Sequence, residues 1–537
     1  MILETPTYSA IYTENGRDDR AAEITLTPNP DGSLSVFLNA PSTLITDIVL
    51  RWRMPLAPGT RILGDHWERG YGDLEWRGVA PERPLPWYAL LHEPARNRPC
   101  GFGVETGAAS FASWRVDETG ITLVLDVRNG GLGVRLGHRR LAAATVRALE
   151  SQPDEPLWGF ARRFCGSLCP APRLPKQPIY GGNDWYSRYG SITAKTVMQD
   201  SSLIRDLSPS LTNAPSYVID LGWFSTDEQG GGVYDRGNTG FPDMPDLADR
   251  LYKSGVRPGI WIRPLMTTED APESWRFSSK HPLARTPGVF LDPSVPEVLE
   301  RVSTDIARLS DWGYQLIKQD FTTWDITGRW GFEMTSGITQ GGWAFSDRTR
   351  TTAEIITDLY TTIRDAAGDA EVIGCNTVGH LCAGLFALQR TGDDTSGKHW
   401  ERTRKMGVNS LAFRMPQHGT FFVADADCVG LRPDISWEQN RQWLDVLARS
   451  GTALFVSADP EAVGPEQRAA LTEAFARAAV PAPPSEPTDW LDTTCPRVWR
   501  SGTDGKADGE KTDGEKTYGE KTYDWAAFPG AAFPCPA

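Results

Sequence analysis

Two places in the chain set an acidic side chain beside a basic one at the end of an apolar run. Gln315-Leu-Ile-Lys-Gln-Asp320 ends on Lys318 and Asp320, and because strand side chains alternate with period two, both point to one face. An ammonium beside Asp320 holds that carboxylate ionised, as a nucleophile requires. Leu385-Phe-Ala-Leu-Gln-Arg390 continues into Thr-Gly-Asp-Asp394, which sets Asp393 and Asp394 beside the Arg390 guanidinium. Two such acids are the minimum for cleaving a glycosidic bond: one attacks the anomeric carbon or activates water, and the other protonates the leaving oxygen. The competing structural reading has Asp393 or Asp394 capping a helix that starts at Thr395, with Lys-x-Asp an ordinary salt bridge. No Ser/His/Asp order, phosphate-binding glycine loop, dinucleotide fingerprint or His-Glu-x-x-His occurs, so acyl transfer, phosphoryl transfer and zinc hydrolysis lack their signatures.

These runs belong to a longer series. Ile179-Tyr-Gly-Gly and the segments 216–220, 258–263, 315–320, 371–376, 385–390, 421–425 and 453–458 are short and apolar, and stretches between them, such as 296–312 and 352–367, carry helix periodicity. Eight strands alternating with helices over about 300 residues predict an α/β fold of the (β/α)8 TIM barrel type, with a doubly wound open sheet as the alternative. A barrel presents its chemistry at the C-terminal ends of its strands. Nearly every run here ends on a polar group: Asn183 and Asp184 with Trp185, Asp220 with Trp223, Arg263, Lys318 and Asp320, Asn376, Arg390 with Asp393 and Asp394, and Asp425 with Asp427. His380, His399 and His418 lack metal spacing and read as loop or core histidines.

Residues 1–150 read as an N-terminal β-sandwich of short alternating segments, in which the loop Trp67-Glu-Arg-Gly-Tyr-Gly-Asp-Leu-Glu-Trp76 is either a cover for a neighbouring site or a plain inter-domain contact. Residues 151–178 form a helical, proline-rich linker, 179–480 the barrel, and 481–537 a small C-terminal β region whose Gly-Glu-Lys-Thr repeat over 508–522 reads as a polar loop. The 55 Lys+Arg against 69 Asp+Glu give a net charge of −14, which repels phosphate backbones and anionic lipid, so nucleic acid and membrane are excluded as partners. The 20 Trp residues either fill a large core or face sugar rings. Eight scattered cysteines without zinc spacing read as reduced core thiols. With no basic, apolar leader and no membrane-length apolar run, a soluble cytoplasmic protein is expected. The reading leaves a homo-oligomer open.

Lys318-Gln-Asp320 at the fourth strand, Asp220-Leu-Gly-Trp223 at the second, Arg390-x-x-x-Asp394 at the sixth and Asp425-Ala-Asp427 at the seventh resemble glycoside hydrolase families 36 and 27 of clan D, the α-galactosidase and raffinose-synthase-like enzymes. Phe290-Leu-Asp-Pro-Ser-Val-Pro-Glu-Val, Ile435-Ser-Trp-Glu-Gln and Ala453-Leu-Phe-Val-Ser-Ala-Asp-Pro are similar to further landmarks, in the right order over about 179–463. The sandwich and the β tail resemble family 36 more than family 27. The resemblance implies a retaining exo-α-glycosidase with no metal or other cofactor, Asp320 as nucleophile and Asp394 as acid/base, Asp393 being the second alignment. It also implies a sugar pocket of Trp185, Asp184, Asp220, Trp223, Lys318 and Asp427, with Arg390 orienting an acid of raised pKa and Arg263 and Asn376 as further strand-end contacts. An oligosaccharide or glycoside is the partner it implies.

Departures from the family pattern bear on specificity. Leu221 stands where α-galactosidases carry a second acid that grips galactose hydroxyls, Arg263 and Leu265 replace a Glu-containing third strand, and Gly374-Cys-Asn-Thr replaces a Gly-rich run. Each lost charge-assisted hydrogen bond is worth about 1.5–3 kcal/mol, enough to redirect preference. The expected sugar is a galactose relative lacking or modifying the 6-hydroxyl, such as a β-L-arabinopyranoside, an α-D-fucoside or an N-acetylgalactosaminide, or else an acidic sugar held by Arg263. Alternatives are a transglycosidase of the raffinose or stachyose synthase type and a noncatalytic carbohydrate-binding barrel.

Overall fold

The structure of the chain is a computed structural model, which describes all residues except 1–4, 18–21, 95–97, 209–211, 225–230, 340, 503–517 and 526–537. Alternating burial builds the N-terminal region: Leu34–Asn39 and Ile45–Arg53 bury nearly every second side chain, the signature of strands with one face on a core. Two antiparallel sheets of six strands each face one another, ending with the long strand Arg140–Glu150. The helix Leu157–Leu168 then buries Phe160, Phe164 and Leu168. It lies close because Gly101 and Gly103 leave room that a Cβ would fill against Phe164 and Leu168.

The eight apolar runs are the eight strands of a closed barrel: β1 Tyr180–Asn183, β2 Ser216–Ile219, β3 Arg257–Ile262, β4 Leu316–Gln319, β5 Glu371–Gly374, β6 Leu388–Arg390, β7 Val423–Leu431 and β8 Ala453–Ala458. Parallel pairing of Tyr180 with Leu454 and of Gly182 with Val456 joins β1 to β8, so the open-sheet alternative is wrong. The two helices expected from periodicity span Pro296–Asp311 and Thr352–Ala366. No helix begins at Thr395, where the chain makes turns before the short helix Trp400–Arg402. The helix-cap reading of Asp393 and Asp394 therefore fails.

Glu486–Pro487, Val498–Gly502 and Tyr518–Thr522 form a C-terminal three-stranded sheet. The third copy of the polar repeat is thus an edge strand rather than loop, and Lys521 is tied to Asp445 of the helix Trp437–Ser450 at 2.7 Å; the first two copies lie outside the described residues. Of the seven described cysteines, all unbridged, six are buried, and Cys535 lies outside the described residues. No helix among the described residues is long and apolar enough to cross a membrane.

Candidate active site

A cavity of about 410 Å³ opens at the C-terminal ends of the strands, and six of the sequence-predicted residues line it: Trp185, Asp220, Lys318, Asp320, Asp393 and Asp394. Asp320 is fixed by three N–H donors. Its Oδ1 accepts the backbone N–H of Phe321 at 2.7 Å and of Asn376 at 3.2 Å, and its Oδ2 accepts the Trp261 indole N–H at 3.0 Å. The turn that allows the first of these puts Phe321 at φ 63, a left-handed conformation costly for a bulky side chain and typical of functional sites. The Phe321 ring is held against the Arg263 guanidinium, 4.2 Å from the ring centroid, and edge-on to Trp261 at 6.4 Å.

Lys318 does not pair with Asp320. Its ammonium reaches across to the neighbouring strand end and binds Asp220 Oδ2 at 2.7 Å, an oxygen that also accepts from Asn183. Burial works against the charge on Lys318, and Asp220 more than offsets it, raising the ammonium well above its usual pKa. Asp184 lies beneath the cavity, 2% exposed, and its Oδ1 accepts the backbone N–H of Asp220 at 2.9 Å. Burial first, and then the adjacent Asp220 charge, push the Asp184 carboxyl far up.

Five further predicted contacts do not line the cavity. Trp223 is wholly buried, its indole N–H donating to the Trp261 carbonyl. Gly222, at φ 122 and packed on Gly190, turns the chain inward there. Arg263 is spent on Asp325 at 2.6 Å, with side chains 3% and 0% exposed, and so is not placed to bind an acidic sugar. Asn376 is buried, donating to Glu68 and accepting from the Trp324 N–H at 3.0 Å. Arg390 joins Asp394 at 3.1 Å to Asp427 at 3.0 Å from beneath. Asp427 itself sits in a bulge of β7 between Asp425 and Cys428, at φ 70, and this breaks the alternation that would have aimed it at the cavity. Its Oδ2 instead accepts from Tyr186, from the Thr395 N–H at 2.9 Å and from Arg390, steadying the residue next to Asp394.

Replacing Arg263 by alanine would strand the Asp325 carboxylate. Breaking a buried pair from one side costs about 3–5 kcal/mol. The denaturation midpoint of Arg263→Ala is expected to fall accordingly, and an unchanged midpoint would show the pair to be dispensable.

The remaining lining comes from residues the sequence reading did not single out as site residues: Arg69 and Tyr71 of the sandwich loop, Leu221, Trp261, Phe321, Trp330, Phe332, Cys375 and Arg402. The loop 67–76 thus takes the first of its two readings. Its backbone bonds directly to the segment after β6, Gly70 N–H to the Thr391 carbonyl at 2.8 Å and Asp393 N–H to the Gly70 carbonyl at 3.0 Å. Glu68, fully buried, accepts from Arg69 at 2.7 Å, from Tyr71 at 2.7 Å, from the Gly331 N–H at 2.8 Å and from Asn376. The only signal in the sequence was the crowding of charged and aromatic groups within ten positions.

The two carboxyls after β6 differ. Asp393 is gripped on both oxygens, by Arg69 at 3.2 Å and Arg402 at 2.9 Å. The Asp394 side chain is 39% exposed; its Oδ1 faces Arg390 and Arg69, and its Oδ2 has no protein partner among the described residues. Burial pushes the Asp394 carboxyl up, but Arg390, Arg69 and Lys318 together outweigh it and hold it down at about 2. The expectation of a raised pKa is not met, because three cations surround this acid. His380 and His418 are buried and bonded to backbone, and His399 is exposed. No His, Cys, Asp or Glu cluster suited to a metal ion occurs among the described residues.

No family model matches the chain. Over 155 residues, 27% of the chain, it is 28% identical to a bifunctional alpha-galactosidase/sucrose kinase of Mediterraneibacter gnavus, of which the match takes in only 16%. The solved alpha-galactosidase of Thermus thermophilus, in complex with p-nitrophenyl alpha-D-galactopyranoside, superposes with a TM-score of 0.58 at 17% identity, over 89% of this chain and 98% of that one. A cycloalternan-degrading enzyme of Trueperella pyogenes gives 0.54 at 13% identity, over 96% of this chain and 87% of that one. The chain therefore has the sandwich-and-barrel fold of solved alpha-galactosidases. The fold implied by the resemblance to family 36 is the fold observed, and the cycloalternan-degrading enzyme shares it.

Proposed function

We propose that the chain is a retaining exo-α-glycosidase that removes a terminal α-galactoside or a galactose-like sugar through a covalent glycosyl-enzyme intermediate. The observation that carries this reading is the unequal treatment of two carboxyls in one cavity: Asp320 is immobilised by three N–H donors, while Asp394 keeps one oxygen without a partner among the described residues. A fixed carboxylate suits attack on the anomeric carbon, and an open one suits proton exchange with the leaving oxygen and then with water. Asp320 forms the bond to the anomeric carbon as Asp394 gives its proton to the departing oxygen. Asp394 next takes a proton from water, whose oxygen displaces Asp320. Asp393, with both oxygens held by arginines, is the weaker candidate for the acid.

Asp220 and Lys318 face the cavity as a charged pair able to bind neighbouring hydroxyls, and Trp185 and Trp261 offer indole surface for a ring face. Leu221 also lines the cavity, which supports a sugar that presents hydrogen or methyl in place of the 6-hydroxymethyl group. The acidic-sugar alternative loses its support with Arg263 paired to Asp325. No residue of the cavity favours transfer to a second sugar over transfer to water, and the presence of both acids speaks against a noncatalytic barrel.

A panel of chromogenic α-galactoside, α-N-acetylgalactosaminide, β-L-arabinopyranoside and α-fucoside tests the assignment. We expect the arabinopyranoside or the fucoside to be cleaved faster than the galactoside. Fastest cleavage of the galactoside would remove the argument from Leu221, and no cleavage of any would defeat the glycosidase reading.

A further inference from the structure

A second cavity, of about 570 Å³, lies at the opposite end of the barrel, where β3, β4 and β5 begin. Among its lining residues are Arg257, the first of β3, Glu371, the first of β5, Gln315 just before β4, Asp369, and Lys176 of the linker. Backbone bonds fix this rim: the Gln315 N–H donates to the Pro258 carbonyl at 2.8 Å, and the Glu371 N–H to the Gln315 carbonyl at 2.9 Å. The charged groups therefore stand on strands of the barrel rather than on a loose loop. The extended chain from Gln315 to Asp320 spans about 16 Å, which sets this cavity apart from the one at the strand ends.

The charges here are not paired off. Arg173, Arg257 and Lys176 all act on the Glu371 carboxyl through space, yet none of the three forms an ion pair at contact or a side-chain hydrogen bond with another described residue. The Oε2 of Glu371 is shut off from solvent and accepts no hydrogen bond among the described residues. Burial pushes the Glu371 carboxyl up by more than the three cations pull it down, and it lowers the Arg257 guanidinium by more than Glu371 raises it. A buried pair that serves the fold alone closes on itself, as Arg263 and Asp325 do at 2.6 Å. Here both partners keep bonding capacity that a bound molecule can use.

With a net charge of −14 the chain has no general affinity for anions, so cations gathered at one cavity mark a local preference. A phosphate monoester carries about two negative charges at neutral pH, and a guanidinium grips it through paired N–H donors. Ionised carboxylates, which only accept, suit hydroxyl groups instead. We propose that this cavity binds the phosphate monoester of a small hydroxylated molecule, a sugar phosphate by class, with the phosphate on Arg257, Lys176 and Arg173 and hydroxyls on Glu371 and Asp369. The volume lies in the range of small-molecule sites, and the proposal does not depend on the glycosidase reading.

Calorimetric titration of the full chain with glucose 6-phosphate, inorganic phosphate and glucose, at one ionic strength, tests the site. The ester is expected to bind saturably, and about tenfold or more tighter than either inorganic phosphate or glucose. Arg257→Gln is expected to weaken the ester about tenfold or more, and Lys176→Gln, on an exposed side chain, about threefold. Glu371→Gln separates the two halves of the site: inorganic phosphate should bind more tightly once a negative neighbour is gone, while the advantage of the ester over it narrows. A wild type that binds no ester, glucose bound as tightly as the ester, or binding unchanged in both Arg257→Gln and Lys176→Gln overturns the proposal. Inorganic phosphate bound as tightly as the ester overturns the hydroxyl contacts given to Glu371 and Asp369. Should Arg257→Gln fail to fold, the double variant Arg173→Gln/Lys176→Gln, changed only in the linker, carries the same test: a loss of about tenfold supports the site, and full affinity sinks it.

Discussion

Asp320→Asn is expected to abolish turnover of every substrate that the wild type cleaves, glycosyl fluorides included, with kcat falling by about 10⁴-fold or more. Carboxylate and amide have the same shape, so the change tests charge and nucleophilicity rather than packing. In the wild type one oxygen accepts two backbone N–H groups and the other the Trp261 indole. The asparagine can keep its carbonyl on the two backbone donors and must then turn its amide toward Trp261. That forfeits one hydrogen bond of about 1 kcal/mol, too little to unfold a chain of 537 residues. Folded, inactive protein is the expected outcome, and an activity within tenfold of wild type would sink the assignment of Asp320.

Asp394→Asn should behave differently, and the difference identifies the acid. Substrates with poor leaving groups are expected to lose about 10²–10⁴-fold, while the fluoride loses far less. Asp393→Asn should show no such split, because its carboxylate serves Arg69 and Arg402. The electrostatics add a pH test. With Asp394 held at about 2 by the surrounding cations, its protonated fraction falls roughly tenfold for each pH unit above that value. An acid must be protonated to act, so kcat/KM for an alkyl glycoside, which reports the free enzyme, should decline as pH rises through the acidic range. The fluoride, needing no proton, should not follow. Asp394→Asn should remove the decline, and a limb centred above pH 6 in the wild type would mean that Arg390 and Arg69 do not set the state of the acid.

What the sequence made legible was whatever depends on nearby residues. Runs such as 315–320 and 371–376 became β4 and β5 because strand burial leaves a short apolar trace, and the polar residue ending such a run was in fact near the cavity. Side-chain direction was less accessible. The pattern assigns Asp427 to the sugar pocket, but a bulge in β7 turns it under Asp394. Arg263 was read as a ligand, whereas Asp325, 62 positions away, claims it. Lys318 and Asp320 do share a face, but a flexible ammonium goes to the carboxylate it can best reach, here Asp220. The crowded loop 67–76 offers itself as a cover for a neighbouring site, but nothing local indicates that it meets the strand end at residue 376 or that Arg69 and Tyr71 are the side chains that enter the cavity.

Glu68 also bears on the order in which the molecule becomes competent. The sandwich emerges first during synthesis, and domains generally fold as units in that order. At that stage Glu68 lacks Gly331 and Asn376, its partners 263 and 308 residues downstream, and a carboxylate without them stays in water. Its burial must await a barrel closed at least through β5. Docking of the loop and completion of the cavity are then one late event, and that junction, which rests on very distant contacts, is where the assembled chain should first open.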